Sequence, residues 1–385
     1  MSNIAIIGGG ASACMCALNI NANNKVTIFC KEEKLCKKIL VTGNGRCNIT
    51  NLNFKDNGYN QNLDKFFNVF SYLDTLNFFK NLGLETYADE EGRVYPISNT
   101  ATSVQEIFER EILNKKNIQL KLNEHVTKIE KKNNLFIINQ TYNFDKVVIC
   151  TGSSDELFKT LNVNFKPFVP SLMALKTKEN TKRLSGLKLS DVEITLITQD
   201  KEHKEFGEVL FKDSGISGIC VFNLSAYLSR VNNFNAKVQI DLLPKVTQKN
   251  LVSMLQKRKA LNVKNMIEFM QGLFHKEINK YLLKICEINE DILPLNLDNY
   301  FIEKLAKNIK KLEFNIYSFY ENNQVKTGGI KLEDLSNTLE YKNCTNLYFA
   351  GEACDVDGIC GGYNLQWAWT SGKIIGDNLW SKLMT

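Results

Sequence analysis

One stretch constrains this chain more than any other: Ile4-Ala5-Ile6-Ile7-Gly8-Gly9-Gly10-Ala11-Ser12-Ala13. Four apolar residues, mostly β-formers, run into Gly8-x-Gly10-x-x-Ala13, and a helix-forming segment, Ala11–Ala22, follows. A buried strand, a tight glycine turn and a helix N-terminus in that order hold a pyrophosphate. The glycines let backbone approach the phosphates, and the first helical turn aims free N–H groups at the negative charge. The spacing therefore predicts an α/β, Rossmann-like sheet in which Ile4–Ile7 is a central strand, with the rest of the chain completing a nucleotide site.

The second strand of that sheet is expected at Lys25–Cys30. Dinucleotide folds place an Asp or Glu near the end of this strand, about twenty residues past the glycines, to bind ribose hydroxyls. Here the position falls on Cys30, while Glu32 and Glu33 come two and three residues later. The ribose contact is left to a backbone group, to Lys31 or to one of those glutamates.

A second loop follows, Lys38-Ile-Leu-Val-Thr42-Gly43-Asn44-Gly45-Arg46-Cys47-Asn48-Ile-Thr50-Asn51. Its two glycines, fixed cation and short hydrogen-bonding side chains suit an anion or a heterocyclic ring. Asn62–Gly83 has helical periodicity, with Phe66, Phe67, Phe70, Leu73, Leu76 and Phe79 as core residues. Glu91–Pro96 reads as a hairpin turn and strand, and Ser103–Lys115 as a helix. Strands are expected at Gln119–Leu122, His125–Ile129, Leu135–Ile138 and Lys146–Ile149, the last closing on Cys150-Thr151-Gly152 at a sheet edge.

Residues 164–327 change character. Strand patterns at Ser190–Phe211 and Ala236–Leu242 flank Gly215-Ile-Ser-Gly218 and an apolar run to Leu228. Thr247–Lys311 is helical in pattern, and Phe314–Tyr320 and Gln324–Ile330 return to strand. This section carries 25 Lys and Arg against 18 Asp and Glu, which leaves 23 against 24 for the remainder, so it holds the whole net charge of +6. A lysine-rich solvated face accounts for the excess, and an anionic partner is the alternative.

The closing segment is the most informative. A short strand, Asn346–Phe349, leads into Ala350-Gly351-Glu352, then Asp355-Val-Asp357-Gly358 and Gly361-Gly362-Tyr363-Asn364-Leu365-Gln366, and a helix runs on to about Lys382. A strand ending in Gly-Glu supplies a carboxylate for a polyol hydroxyl. A glycine pair opening a long helix supplies N–H groups and a positive dipole end, which favours the negative charge developing on a reduced flavin.

Composition excludes several classes. No run of about 18 apolar residues exists, so no transmembrane helix is expected. The N-terminal strand leaves no room for a signal peptide. Eleven cysteines without a C-x-x-C pair fit free thiols in a reducing cytoplasm, with Cys14 and Cys150 as small buried hydrophobes. Three scattered histidines, His125, His203 and His275, give no metal site.

Taken in order, Gly8–Ala11, Lys38–Asn51, Gly92-Arg-Val-Tyr-Pro-x-Ser98, Gly215–Gly218, Thr327–Ile330 and Leu347–Ala368 resemble the BaiN/YhiN-like FAD-dependent oxidoreductases, often called aminoacetone oxidase family FAD-binding enzymes. The resemblance implies a split FAD-binding domain, 1–163 and 328–385. It also implies an inserted β-barrel-like domain, 164–246 and 312–327, carrying a small helical subdomain, 247–311. FAD contacts are implied from Gly8, Gly10, Thr42, Gly43, Gly45, Arg46, Cys47, Asn48, Val126, Thr151, Gly152, Gly351, Glu352 and the turn Gly361, Gly362, Tyr363, Asn364 and Leu365. Ala11, Ser12, Ala13, Lys31 and Lys38 complete the expected cofactor set. Two departures stand out: Cys30 replaces the family's acid, and Ser153–Val163 lacks the glycines that usually follow Thr151-Gly152.

The expected activity is hydride transfer through a tightly bound flavin, as an NAD(P)H-linked reductase of a small organic substrate. No second Gly-x-Gly-x-x-Gly follows a strand, so NAD(P)H must dock transiently at an exposed ring face. An oxidase, an RNA-modifying flavoprotein using the basic insert, and a flavin binder without turnover are the alternatives; nucleic acid is the less expected partner. Cys47, beside Arg46, is a candidate low-pKa redox thiol, with packing as its other reading. Tyr363 and Asp357 are candidate proton donors or turn anchors.

Overall fold

The computed structural model describes residues 1–54, 58–321 and 325–379. The expected strand start at Gln324 and helix end at Lys382 lie outside them. The chain divides into two compact units, Met1–Pro170 with Asn323–Thr385, and Ser171–Asn322.

The first unit is built on a five-stranded parallel sheet in the order Leu347–Phe349, Lys146–Ile149, Asn3–Ile7, Lys25–Phe29, Ile118–Lys121. Asn3–Ile7 is the middle strand, and its Ile4, Ala5 and Ile6 are fully buried, as a strand covered on both faces requires. Lys146–Ile149 is interior, paired on both sides, rather than at the edge that Thr151-Gly152 suggested. Helix Ala11–Asn19 follows the first strand and stops three residues short of the expected Ala22, because Ile20 turns to extended backbone. It lies against the C-terminal helix Tyr363–Asn378. Gly372 and Gly376 make this approach feasible: a Cβ at Gly372 would sit 2.5 Å from the Ser12 carbonyl oxygen, and one at Gly376 2.7 Å from that of Cys16.

Two local expectations fail for identifiable reasons. The helical pattern over 62–83 is two helices, Asp64–Phe67 and Tyr72–Asn81. Ser71 restarts the second with a capping box: its hydroxyl accepts from the Asp74 N–H, and the Asp74 carboxylate accepts from the Ser71 N–H at 2.8 Å. The apolar pattern continues in sequence through the break, so periodicity alone could not show it, and Leu73, expected in the core, is 55% exposed at the start of the second helix. The strand expected at His125–Ile129 begins only at Ile129. The preceding residues are fixed by side chains instead, with the Asn139 Oδ1 accepting from the Thr127 and Lys128 N–H groups.

The second unit holds a closed six-stranded antiparallel barrel: Leu175–Thr177, Gly215–Ser217, Glu202–Lys212, Lys188–Ile197, Ala236–Asp241 and Leu312–Phe319. Closure leaves no open edge. The apolar run after Gly218 is helix Ile219–Val231, and the 247–311 section supplies helices Gln248–Arg258, Met266–Met270, Lys276–Ile285 and Asn299–Lys310. Their buried faces, among them Leu251, Leu282 and Leu305, join one core with barrel residues Ile194, Val238 and Phe314. All eleven cysteines are free. Among the described residues no helix is long and apolar enough to cross a membrane. None of their His, Cys, Asp and Glu side chains form a group placed to hold a metal ion.

Candidate flavin site

The site is assembled within the first unit from loops at the C-terminal ends of the parallel strands, where α/β sheets bind ligands. After Ile7 the backbone turns at Gly8 with φ +117°, and a Cβ there would meet the Cys150 carbonyl oxygen at 2.2 Å. Gly8 is thus required by the protein itself. Gly10 is different. It has an ordinary φ of −85°, and a Cβ built on it would find no heavy atom within 4 Å. Open space beside a glycine that packing does not require is room for a ligand. Helix Ala11–Asn19 starts there without a side-chain cap or an acid in its first turn, so its dipole end is uncompensated.

Around this turn, Cys30 is buried, and its sulfur would lie 2.4 Å from a Cβ at Gly9. The missing acid is therefore a filled, apolar position. Glu32 is engaged with Lys37 at 2.8 Å, which with neighbouring cations holds its carboxyl below the usual range. Lys31 is exposed. Backbone bonds from Glu124 to Cys30 and from Asn123 to Glu32 bring buried Val126 near the end of the second strand.

The Lys38–Asn51 loop is more structured than its composition suggests. Residues Lys37–Gly45 form 3₁₀ turns interrupted by left-handed Gly43 and Asn44, and Gly45 and Cys47 are left-handed as well. The Thr42 carbonyl accepts from the Cys47 N–H at 3.0 Å. Asn48, buried, donates to the Thr50 and Val94 carbonyls at 3.0 and 3.1 Å. The Arg46 Nε donates to the Gly43 carbonyl at 3.3 Å, and its guanidinium carbon lies 4.2 Å from the ring centre of Tyr95.

The two chain ends meet through named bonds. Lys38 Nζ pairs with the Glu352 Oε2 at 2.7 Å, and that oxygen stands 3.4 Å from where a Gly152 Cβ would be. The Asn51 Nδ2 donates to the Gly361 carbonyl at 2.9 Å, and a Cβ on Gly362 would sit 2.5 Å from the Thr50 carbonyl oxygen. Behind them, Thr50 Oγ1 donates to Gln366 Oε1 at 2.7 Å, and Gln366 Nε2 donates to Thr75 and Thr370. Trp367 donates its indole N–H to the Gly351 carbonyl at 3.0 Å. Gly362 opens helix Tyr363–Asn378 with φ +97°, no side-chain cap and no acid in the first turn. Leu365 is half-buried against the core, and Asn364 closes the turn by bonding both backbone groups of Gly358 at 2.9 Å.

The three side-chain candidates, Cys47, Tyr363 and Asp357, are all buried. Cys47 is fully buried, and desolvation pushes its thiol up to about 12 despite a Thr42 hydrogen bond. The neighbouring Arg46 guanidinium lies over the Tyr95 ring, 4.2 Å from its centre. Burial therefore favours the packing reading of Cys47 over the redox one. Tyr363 is 2 % exposed and set edge-on to Phe54 and Tyr59, with its hydroxyl directed at the Asn53 carbonyl at 3.4 Å. Asp357 is 1 % exposed and accepts from the Thr327 hydroxyl at 2.8 Å. Thr151 and Gly152 follow strand Lys146–Ile149, and after them comes short helix Glu156–Thr160, whose Phe158 packs edge-on to Phe349.

Sequence reasoning missed the Lys38–Glu352 pair, the Gln366 relay and the Gly372-x-x-x-Gly376 approach. Only the last left a signal, small residues four apart on a helix. Together, two uncapped helix N-termini, a carboxylate, a lysine and open space beside Gly10 fit an FAD, with pyrophosphate at one helix end and an electron-accepting ring at the other.

The chain is similar to known proteins over nearly its whole length. Residues 2–378 match the model of the HI0933-like protein Rossmann domain. The chain is 32% identical, over 98% of its length and 98% of the relative's, to the 3-dehydro-bile acid delta(4,6)-reductase of Clostridium scindens. It is 26% identical to the ribosomal RNA dihydrouridine synthases of Haemophilus influenzae and Escherichia coli, with 95% of both chains covered in each case.

Proposed function

The chain belongs to the HI0933-like family of FAD-dependent oxidoreductases, and on that premise we propose that it saturates a carbon–carbon double bond conjugated to a carbonyl in a small organic substrate, with NAD(P)H as transient reductant. The observation that carries this reading is the near full-length match to a reductase. The two kinds of relative share a chemistry. In a 3-oxo steroid the 4,6 double bonds are conjugated to the ketone, and the bond saturated in dihydrouridine is conjugated to a ring carbonyl.

Bound FAD supplies a two-electron hydride donor and acceptor. The chain's own residues do the holding. In this reading Gly8, Gly10 and the N–H groups of Ala11, Ser12 and Ala13 seat the pyrophosphate, and Val126 and Lys31 flank the adenosine. Glu352, Lys38, Thr151 and Gly152 meet the polyol chain. Thr42–Asn48 and the Gly361–Leu365 turn enclose the ring, with the Tyr363–Asn378 dipole favouring its reduced, anionic form. We assign these tasks to residues 1–163 and 328–385. Residues 164–246 with 312–327 form the inserted β domain, and 247–311 a helical subdomain. Free thiols throughout suit a reducing cytoplasm.

The absorbance spectrum of the purified protein, with FAD identified after denaturation, tests the cofactor. Anaerobic stopped-flow mixing with NADH and NADPH then tests the electron donor: bleaching of the flavin band within seconds is expected. Reoxidation by 2-cyclohexen-1-one should outpace reoxidation by oxygen; the reverse order makes the protein an oxidase and sinks the proposal.

A second reading, a base in RNA as substrate, is favoured by the positive charge of the 247–311 section and by the two ribosomal RNA relatives. Salt-sensitive RNA binding distinguishes it.

A further inference from the structure

Arg46 belongs to the loop that encloses the ring in the cofactor reading, yet that reading leaves its positive charge without a task. Its Nε is engaged by the Gly43 carbonyl at 3.3 Å, and its guanidinium carbon is held 4.2 Å over the Tyr95 ring. Among the described residues no carboxylate pairs with it. The neighbouring Arg93 shows the contrast. It lies beside the glycine turn, its Cγ 3.8 Å from a Cβ position on Gly361, but Asp89 at 2.7 Å and Glu91 at 2.9 Å neutralise it. Of the two arginines at the ring end, only Arg46 carries a charge that no acid offsets.

The position is also preorganised. Left-handed Gly43, Asn44, Gly45 and Cys47 fix the loop on both sides of Arg46. The aromatic face beneath it supports a half-buried cation without neutralising it. Among the described residues neither terminal NH₂ group has a hydrogen-bond partner. A guanidinium in that state is built to meet an oxyanion or a polarised carbonyl.

We propose that Arg46 holds the substrate's carbonyl oxygen and carries the negative charge that reaches it during reduction. The inference rests on the conjugated-bond reading given above. A hydride from the reduced cofactor adds to the carbon β to the carbonyl. The π pair of the C=C bond then shifts to form an enolate, whose charge sits on the oxygen against Arg46. A proton from water at the α carbon completes the addition of two electrons and two protons. Arg46 thus acts where charge develops rather than where the hydride is delivered.

A phenolate presents the same oxyanion on a conjugated carbon, so 4-chlorophenolate is the probe, titrated into the FAD-loaded protein and read from the flavin difference spectrum. Flavin stoichiometry is measured for every variant. The wild type is expected to bind it, Arg46→Gln to weaken binding at least tenfold, and Arg46→Lys to recover part of the loss, all at full flavin occupancy. Equal binding by wild type and Arg46→Gln overturns the assignment. So does loss of FAD from Arg46→Gln that Arg46→Lys restores, since the guanidinium then serves the cofactor. If the wild type reduces 2-cyclohexen-1-one and Arg46→Gln keeps the same kcat/KM, only Arg46 is dismissed. If the wild type neither binds the phenolate nor reduces the enone, the conjugated-bond reading falls with it.

Discussion

Two glycines of the opening turn, two residues apart, answer to different constraints. At Gly8 a side chain would have to enter a positive-φ conformation and occupy the space of the Cys150 carbonyl. Gly8→Ala should therefore destabilise the apo-protein by roughly 2–4 kcal/mol, seen as a lower Tm without any cofactor. Gly10 meets nothing within 4 Å. Gly10→Ala should leave the apo Tm within about 1–2 °C while weakening FAD binding at least tenfold in a fluorescence titration. A comparable loss of apo stability in both would show that Gly10 is there for the fold. Cys47 gives a prediction from acidity. With its thiol pushed up to about 12 by burial, the thiolate is a negligible fraction at pH 8. Iodoacetamide at that pH should modify Cys47 only after denaturation, as mass spectrometry of the digest would report; labelling of the native protein would restore the redox reading. The first strand and the glycine spacing were legible because both are local. The acidity of Cys47 was not, because it depends on what covers the residue.

The pair of helices Ala11–Asn19 and Tyr363–Asn378 shows the same limit at the level of elements. Each start was visible in the sequence, from a glycine turn after a strand. Their contact was not, since it is set by backbone approach at Gly372 and Gly376. Gly376→Ala should cost about 1–3 kcal/mol of stability by prising the helices apart, and, on the proposed reading that both N-termini face the cofactor, should loosen FAD. A Tm and flavin occupancy like those of the wild type would contradict this. The hairpin of Thr86–Ala88 and Arg93–Pro96 adds a pH dependence. Burial pushes the Asp89 carboxyl up, but hydrogen bonds and charge from Arg93 outweigh it, leaving the group below the usual carboxylate range. A carboxylate depressed in the folded state contributes stability above its unfolded pKa of about 3.9, and that contribution fades as pH falls through the lower folded value. Asp89→Asn should therefore lower the Tm at pH 7, by an effect of about 1 kcal/mol, and much less at pH 3. An unchanged difference between the two pH values would rule this out. The break at Ser71 was hidden for a related reason: a cap lies on the polar side of a pattern read from its apolar side.

Across the whole molecule, charge and connectivity follow different partitions. The section 164–327 carries the net positive charge, whereas every residue proposed to touch the cofactor lies outside it. If that charge serves an anionic substrate, RNA binding at 50 mM salt should weaken at least tenfold by 200 mM; no binding at the lower salt leaves a solvated lysine surface. The residues that build the site come from both ends of the chain, as Thr50 with Gln366, 316 residues apart, illustrates. That bond has a consequence for how the protein is made. At synthesis rates of about 5–20 residues per second, Thr50 waits roughly 16–60 s for its partner to be added. A ribosome-bound chain lacking the final helix has the phosphate turn without the far wall of the pocket. On the proposed reading flavin loading therefore follows synthesis of Tyr363–Asn378, and protein made in a riboflavin-starved cell should be empty and still able to be charged afterwards.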